Sequence, residues 1–377
     1  MDFTLDEEQT ALRGAVRALL KGYDAEQRRS VVAEDPGFDE GMWKKLAEMG
    51  LLGLPFSEED GGMGAGPVEV SIVAEEIGRM VAPEPFVEAI VLAGGLVAAC
   101  GTAEQRAEIL GAVASGASLP AFAYAEPHAR WNVAAGGVTA SQDGDSWTLT
   151  GVKEPVLNGA RADVLIVSAR TDAGIGLFVV DPSTVERTGY DTIDGGRAAR
   201  IAFDKTAAAP LGEAGVDATE ALATVIAAAQ IAYSHEALGA MDVALTMTTA
   251  YLTTRKQFGV TLNRFQALTF RAADMYTSLE LTRSIVTWAT MVLQDNPRSA
   301  DAVEAAARAK LQVSKAGRHI GKEAIQLHGG IGMTDEYAVG HYTARLTAID
   351  HLLGDGREQI AHLSKTLGDH DVVEPLP

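Results

Sequence analysis

Leu12, Val16, Leu19 and Leu20 recur at i, i+4 and i+7/8, which places them on one face of a helix. Thr4 and Glu7 stand in front of that stripe with the spacing of a capping box, so the pattern predicts that the first helix starts there. Helical patterning continues to about residue 118, broken by a turn containing Gly61, Gly62 and Gly64. From there to Pro210 the periodicity shortens to β-type runs at residues 147–149, 164–167 and 176–180. Asp143-Gly144, Asn158-Gly159, Asp181-Pro182 and Asp194-Gly195-Gly196 supply the turns between such runs. After Pro210 the next prolines are Pro297 and Pro375, so nothing interrupts long helices. Alanine-rich residues 218–254 predict a helix about 55 Å long at 1.5 Å per residue. Residues 266–294 and 299–328 predict two more, the last with Ser299 as its N-cap. Ala227, Ala228, Ala229 and Ala232 would let a neighbouring helix come close. The expected fold is α+β in three domains: N-terminal helices over residues 1–118, an antiparallel β-barrel or sandwich over 119–212, and a four-helix bundle over 213–377.

Composition narrows the function. Hydrophobic residues at 47% and charged residues at 22% over 377 positions describe a globular chain and exclude disorder. With 31 Lys+Arg against 51 Asp+Glu the net charge is -20, which argues against nucleic acid or an anionic membrane as partner. The single cysteine, Cys100, excludes an intrachain disulfide framework and a Cys-rich metal site, and no metal is expected. Acidic Asp2, Asp6, Glu7 and Glu8 stand where a secretory signal needs basic residues, and the longest apolar run, residues 89–100, falls short of the roughly 20 a membrane helix needs. The expected location is cytoplasmic.

Several short strings go further. Arg255-Lys256-Gln257-Phe258-Gly259, then Phe265-Gln266 and Ala273-Asp274-Met275, resemble the flavin-dependent acyl-CoA dehydrogenase family. Gln326-Leu327-His328-Gly329-Gly330-Ile331-Gly332 with Glu336-Tyr337 resembles it too. So do Met1-Asp2-Phe3, Trp43, Gly61-Gly62-Met63-Gly64 and Glu75-Glu76-Ile77-Gly78-Arg79 near the N-terminus, and the strings fall in the family's order along essentially the whole chain. The resemblance implies the α/β/α arrangement, FAD as cofactor, an acyl-CoA substrate and oxidation of its thioester to the 2-enoyl-CoA. Lipid or steroid catabolism and β-oxidation are the implied setting, with an electron-transfer flavoprotein or similar acceptor.

It also implies residue roles. Arg255, Gln257, Phe258, Gln266, Gln326, Gly329 and Gly330 match positions that reach a neighbouring subunit's FAD, so an oligomer is expected. A guanidinium such as Arg255 pairs bidentately with phosphate oxygens, and adjacent glycines let backbone lie against a ligand. Each string also has a plainer reading: a charged helix end for Arg255-Lys256, and a helix cap for Gly329-Gly330. The reaction needs a carboxylate to remove the α-proton. Asp355 is the candidate, because Gly356 and Gln359-Ile360 align with the family's Glu-Gly-Thr string and the Gln-Ile after it, although Asp-Gly is also an ordinary turn pair. In another branch the glutamate lies on the first long C-terminal helix, where this chain has Ala229; Glu236, two turns on, is a lesser candidate for the base and reads rather as a surface or interface salt-bridge partner.

The chain departs from the family where the flavin ring is held. Ala125-Glu126-Pro127, followed by His128-Ala129-Arg130-Trp131, and Pro155-Val156-Leu157 stand in place of Thr-Glu-Pro and Trp-x-Thr, so two hydroxyl donors are missing. This resembles the smaller subunits of heteromeric members, such as pimeloyl-CoA dehydrogenase and actinobacterial steroid side-chain enzymes. The implied assembly is α2β2 with a homologous partner subunit, or a homotetramer. Three alternatives stay open: a catalytically silent partner subunit, an acyl-thioester binder without redox function, and a flavoenzyme acting on a carrier-protein-bound acyl group.

Overall fold

The computed structural model describes residues 4–130, 133 and 136–369; Met1, Asp2, Phe3 and Trp131, quoted above, lie outside them. The first helix, α1 (Glu7–Leu20), opens from Asp6, whose carboxylate accepts the Gln9 backbone N–H at 2.8 Å while Gln9 reaches back to the Asp6 N–H at 3.2 Å. The capping box is thus two residues later than Thr4 and Glu7 suggest. Helices α2 (Ala25–Ala33), α3 (Glu40–Glu48) and α4 (Pro67–Met80) follow. The apolar run after Pro85 winds as a π-helix over Val87–Gly94 and then as α5 (Gly95–Cys100), before α6 (Ala103–Ala114).

Strands β1 (Pro120–Ala123), β2 (Thr139–Asp143), β3 (Ser146–Leu157), β4 (Val164–Thr171), β5 (Gly174–Val180), β6 (Glu186–Asp191) and β7 (Arg197–Pro210) form one sheet. Pairings β4–β2, β2–β3, β3–β7, β7–β5 and β5–β4 return to their start, so the sheet closes into a barrel with its own apolar interior. Two pairings are parallel rather than antiparallel as expected: β1 with β4, and β2 with β4 through Thr139 and Arg170. The β2–β3 hairpin separates β1 from β4 in sequence, which gives the chain the length a parallel pairing requires.

The C-terminal helices are α7 (Thr219–Thr254), α8 (Gln266–Asp295) and α9 (Ala300–His328), with a small hairpin β8 (Lys256–Gln257) and β9 (Val260–Thr261) between the first two. Ser299 caps α9, its hydroxyl accepting from Ala302 N at 3.1 Å. Helix α10 (Val339–His351) packs on α9 and α7, and α11 (Gly356–Leu363) follows. The N-terminal and C-terminal helices share one continuous core. Where α4 crosses α7 the close approach is made by glycines: a Cβ on Gly78 would lie 1.9 Å from Glu236 O, and one on Gly239 2.0 Å from Glu75 O. Among the described residues no helix is long and apolar enough to cross a membrane, and no cluster of His, Cys, Asp or Glu could hold a metal ion.

Candidate active site

Two of the quoted motifs meet at one end of the bundle. Tyr251, one turn before the end of α7, lies 4.6 Å ring to ring from His328, the last residue of α9. Arg255 leaves α7 in extended conformation, and the β8–β9 hairpin turns through Phe258 and Gly259, both at positive φ (51° and 82°). Asn-Gly normally fills such a two-residue turn; a phenylalanine there is a strained choice, of the sort found at sites of recognition. The residue is 92% exposed, and its ring meets that of Phe265 edge-on at 6.1 Å between centroids. Gln257, Gln266, Gln326, Gly329 and Gly330 are exposed as well. Gly329 adopts φ 67°, ψ -142°, a conformation open to glycine, and a Cβ on either Gly329 or Gly330 would meet nothing of this chain within 4 Å. All seven candidate cofactor residues therefore face outward at one end of α7 and α9 or beside it. Cation, amide donors, an aromatic face and bare backbone suit the phosphates and flat rings of FAD.

A second feature lies where barrel and helices meet. A cavity of about 200 Å³ is lined by Arg28, Glu84 and Glu88 from the N-terminal helices, by Pro155, Leu157, Asn158 and Asp194 from the barrel, and by Arg345, Ala348 and His351 from α10. The register of β3 against β7 shifts between Lys153 and Val156, a bulge that takes Pro155 out of the regular ladder, which resumes at Val156 and Leu157. Lys153 beneath it is fully buried and donates to Glu126 Oε1 at 2.8 Å, Tyr124 O at 3.0 Å and Ser168 Oγ at 3.1 Å. Glu126 also accepts the backbone N–H groups of Gly136 (3.1 Å), Gly137 (2.6 Å) and Val138 (3.0 Å). Burial pushes the Glu126 carboxyl upward, but Lys153 and these N–H groups outweigh it and hold it below its ordinary value. One ion pair thus ties Ala125-Glu126-Pro127 to Pro155-Val156-Leu157. Neither Ala125 nor Leu157 has a hydroxyl for a flavin ring, while Asn158 brings an amide to the wall, a polar group overlooked in the sequence because Asn158-Gly159 reads as a turn.

The cavity floor is ionic. Arg345 donates to Glu236 Oε1 at 2.6 Å, Asp194 Oδ2 at 2.9 Å and Glu88 Oε1 at 3.4 Å. Glu236 is buried, which pushes its carboxyl up against the pull of Arg345. It is a salt-bridge partner as the sequence suggests, but buried against Arg345 inside the chain rather than at the surface or an interface.

Asp355 stands elsewhere. It is the N-cap of α11, with Oδ1 accepting the backbone N–H groups of Arg357 and Glu358, each at 2.9 Å, and it does not line the cavity. The loop before it is held by Lys310, fully buried, whose ammonium donates to Ile349 O (2.7 Å), Asp350 O (3.1 Å) and Gly354 O (3.0 Å). Burial lowers the Lys310 amine to about 8.

A closed barrel between two helical blocks that share a core, an interdomain cavity, and an outward edge of arginine, phenylalanine and paired glycines define the acyl-CoA dehydrogenase class. Models of that family match in chain order: the N-terminal domain over residues 6–117, the middle domain over 121–205 and the C-terminal domain over 218–367. The chain is 30% identical to the probable acyl-CoA dehydrogenase YngJ of Bacillus subtilis, over 96% of this chain and 98% of that protein. It is 33% identical to the mitochondrial short-chain specific acyl-CoA dehydrogenase of Bos taurus, over 84% and 80%. Among solved structures it resembles the Tcur3481-Tcur3483 steroid ACAD (32% identity, TM-score 0.88, 97% and 99% covered). It also resembles the ChsE4-ChsE5 complex from Mycobacterium tuberculosis (26% identity, TM-score 0.90, 99% and 100% covered). The chain belongs to the acyl-CoA dehydrogenase family, whose members are FAD-dependent oxidoreductases.

Proposed function

We propose that this protein is a subunit of an acyl-CoA dehydrogenase that oxidises an acyl-CoA thioester to the 2-enoyl-CoA, and that it shares FAD with a second, homologous chain or another copy of itself. The reading is carried by the outward edge at the ends of α7 and α9: groups suited to FAD project away from their own chain, where only a neighbour's cofactor would use them. When bound, FAD supplies the two-electron oxidant that takes the β-hydrogen. Arg255 would hold its phosphates, Phe258 would cover a ring and Gly329-Gly330 would let backbone approach. The apolar walls of the 200 Å³ cavity would exclude water from the reacting carbons. A cavity of that size suits a compact acyl group, and short-chain specific relatives point the same way.

A second reading, a helper subunit that completes a partner's site, is favoured by the missing hydroxyls at Ala125 and Leu157. Heteromeric relatives accord with it. Both readings place Arg255 and Gly330 against FAD. Arg255→Ala removes a charge-assisted contact worth about 1.5 to 3 kcal/mol, so FAD affinity should fall roughly 10- to 150-fold. Gly330→Val should leave the melting temperature unchanged, since its Cβ meets nothing within the chain, yet should also weaken FAD. Full FAD occupancy in both variants would overturn the shared-cofactor reading.

A further inference from the structure

The reaction needs a base at the cavity, and three described carboxylates line it: Glu84, Glu88 and Asp194. Asp194 is engaged twice, by Arg345 at 2.9 Å and by the Thr192 hydroxyl at 2.5 Å. Glu84 receives the Tyr23 hydroxyl (2.7 Å) and the Asp39 N–H (3.3 Å) on one oxygen; its other oxygen has no hydrogen-bond partner among the described residues but is sealed from solvent, out of reach of a substrate. Both are occupied in holding the protein together. Glu88 differs: its one hydrogen bond among the described residues is the 3.4 Å contact from Arg345, the longest of that guanidinium's three, and its second oxygen, unlike that of Glu84, is not among the sealed unpartnered atoms. The side chain is otherwise buried, with 9% of the residue exposed.

We propose that Glu88 is the carboxylate that removes the substrate's α-proton. This rests on the dehydrogenase reading above. The Cα–H bond breaks, its proton moves to Glu88 Oε2, and its electron pair forms the new Cα–Cβ bond as the β-hydrogen leaves with two electrons to FAD. Three features of this chain serve that role. Glu88 lies in the first turn of the π-helix, where wide turns commonly mark functional positions. Glu236 and Asp194 hold Arg345 at 2.6 and 2.9 Å, closer than its 3.4 Å contact with Glu88, which leaves Glu88 loosely paired. Apolar Pro155 and Leu157 line the same cavity as Glu88 and would keep water from the reacting carbons.

The test uses the flavin-loaded protein, with its homologous partner if FAD requires one, as wild type, Glu88→Gln and Glu88→Asp. Butyryl-CoA is the probe. In Glu88→Gln, kcat should fall by about 10²- to 10⁴-fold with KM changed by less than about threefold. Calorimetric binding of butyryl-CoA to the flavin-free protein should likewise change less than about threefold, and Glu88→Asp should recover part of the rate. If Glu88→Gln turns over within threefold of wild type with FAD intact, the inference is overturned and the dehydrogenase reading stands. If Glu88→Gln and Glu88→Asp both lose butyryl-CoA binding or fold, Glu88 is structural and the inference is likewise overturned. If the unsubstituted protein binds FAD but no acyl-CoA reduces it, the dehydrogenase reading fails and the inference with it.

Discussion

A carboxylate that accepts two backbone N–H groups is doing the work of a helix cap, and Asp355 does so at the start of α11. Asparagine caps as well as aspartate, so Asp355→Asn should leave the unfolding free energy within about 0.5 kcal/mol, whereas Asp355→Ala should lose about 1 kcal/mol in chemical denaturation. Flavin reduction in Asp355→Asn should stay within about threefold of wild type; a fall of 10²-fold or more would restore Asp355 as the base. The sequence held this ambiguity openly, since Asp355 with Glu358 three residues on is a helix-start signal while Gly356 and Gln359-Ile360 match a catalytic string. Local chemistry could not decide between them, because the difference lies in whether the residue faces the cavity. Glu88 was legible in principle: it is the one charge in the apolar stretch of residues 86–100, and a lone carboxylate in a buried run calls for a partner or a function. Its partner, Arg345, is more than two hundred residues away in sequence, and that pairing appears only on folding.

At the scale of elements, the three long C-terminal helices were legible to within a residue at each end, because proline-free, alanine-rich chain has few alternatives and Ser299 is a strong cap. The start of α1 was less so, since Asp6 with Gln9 competes with Thr4 and Glu7 for the same turn. The π-turns of Val87–Gly94 leave no periodic signature in a run that is apolar on every side, and packing against α7 and β1 is what sets them. Glu84, just before them, joins elements: it binds Tyr23 between α1 and α2 and the Asp39 N–H at the start of α3. Burial raises its carboxyl from 4.5 to about 7, outweighing the Tyr23 bond, with nearby Asp39 adding to the rise. Folding therefore favours the protonated form, so this group's contribution to stability is fully present below its unfolded value and is lost as pH climbs through about 7. Glu84→Gln keeps an acceptor for Tyr23 and does not titrate. Its stability relative to wild type should rise between about pH 5 and pH 8, by an amount on the order of 3 kcal/mol at most. A constant difference across that range, measured by urea unfolding, would show that Glu84 is charged in the folded protein.

For the whole molecule, the order of helices, barrel and helices was legible from the change of hydrophobic period and from the turn residues that bracket each strand. The shared core of the outer blocks was not, because it joins residues such as Leu46 and Ile90 to Leu238 and Ile320 across the full length of the chain. The outward aim of the candidate cofactor edge was implied by the resemblance alone and not by the hydrophobic pattern; in the fold it follows from α7 and α9 ending side by side. Large apolar side chains left exposed on the C-terminal half, Phe258, Phe270, Leu281 and Met333 among them, fit a surface completed by another subunit. The dehydrogenase reading requires that acyl-CoA be oxidised with FAD in an assembly that contains this chain. The direct measurement is anaerobic mixing of the flavin-loaded protein, purified with its homologous partner where the chain alone is flavin-poor, with butyryl-CoA and separately with a bulky steroid side-chain acyl-CoA. The flavin absorbance should bleach with one of them, and 2-enoyl-CoA should appear in equal amount. Flavin that stays oxidised with both thioesters, in protein shown to bind them, would contradict the dehydrogenase reading.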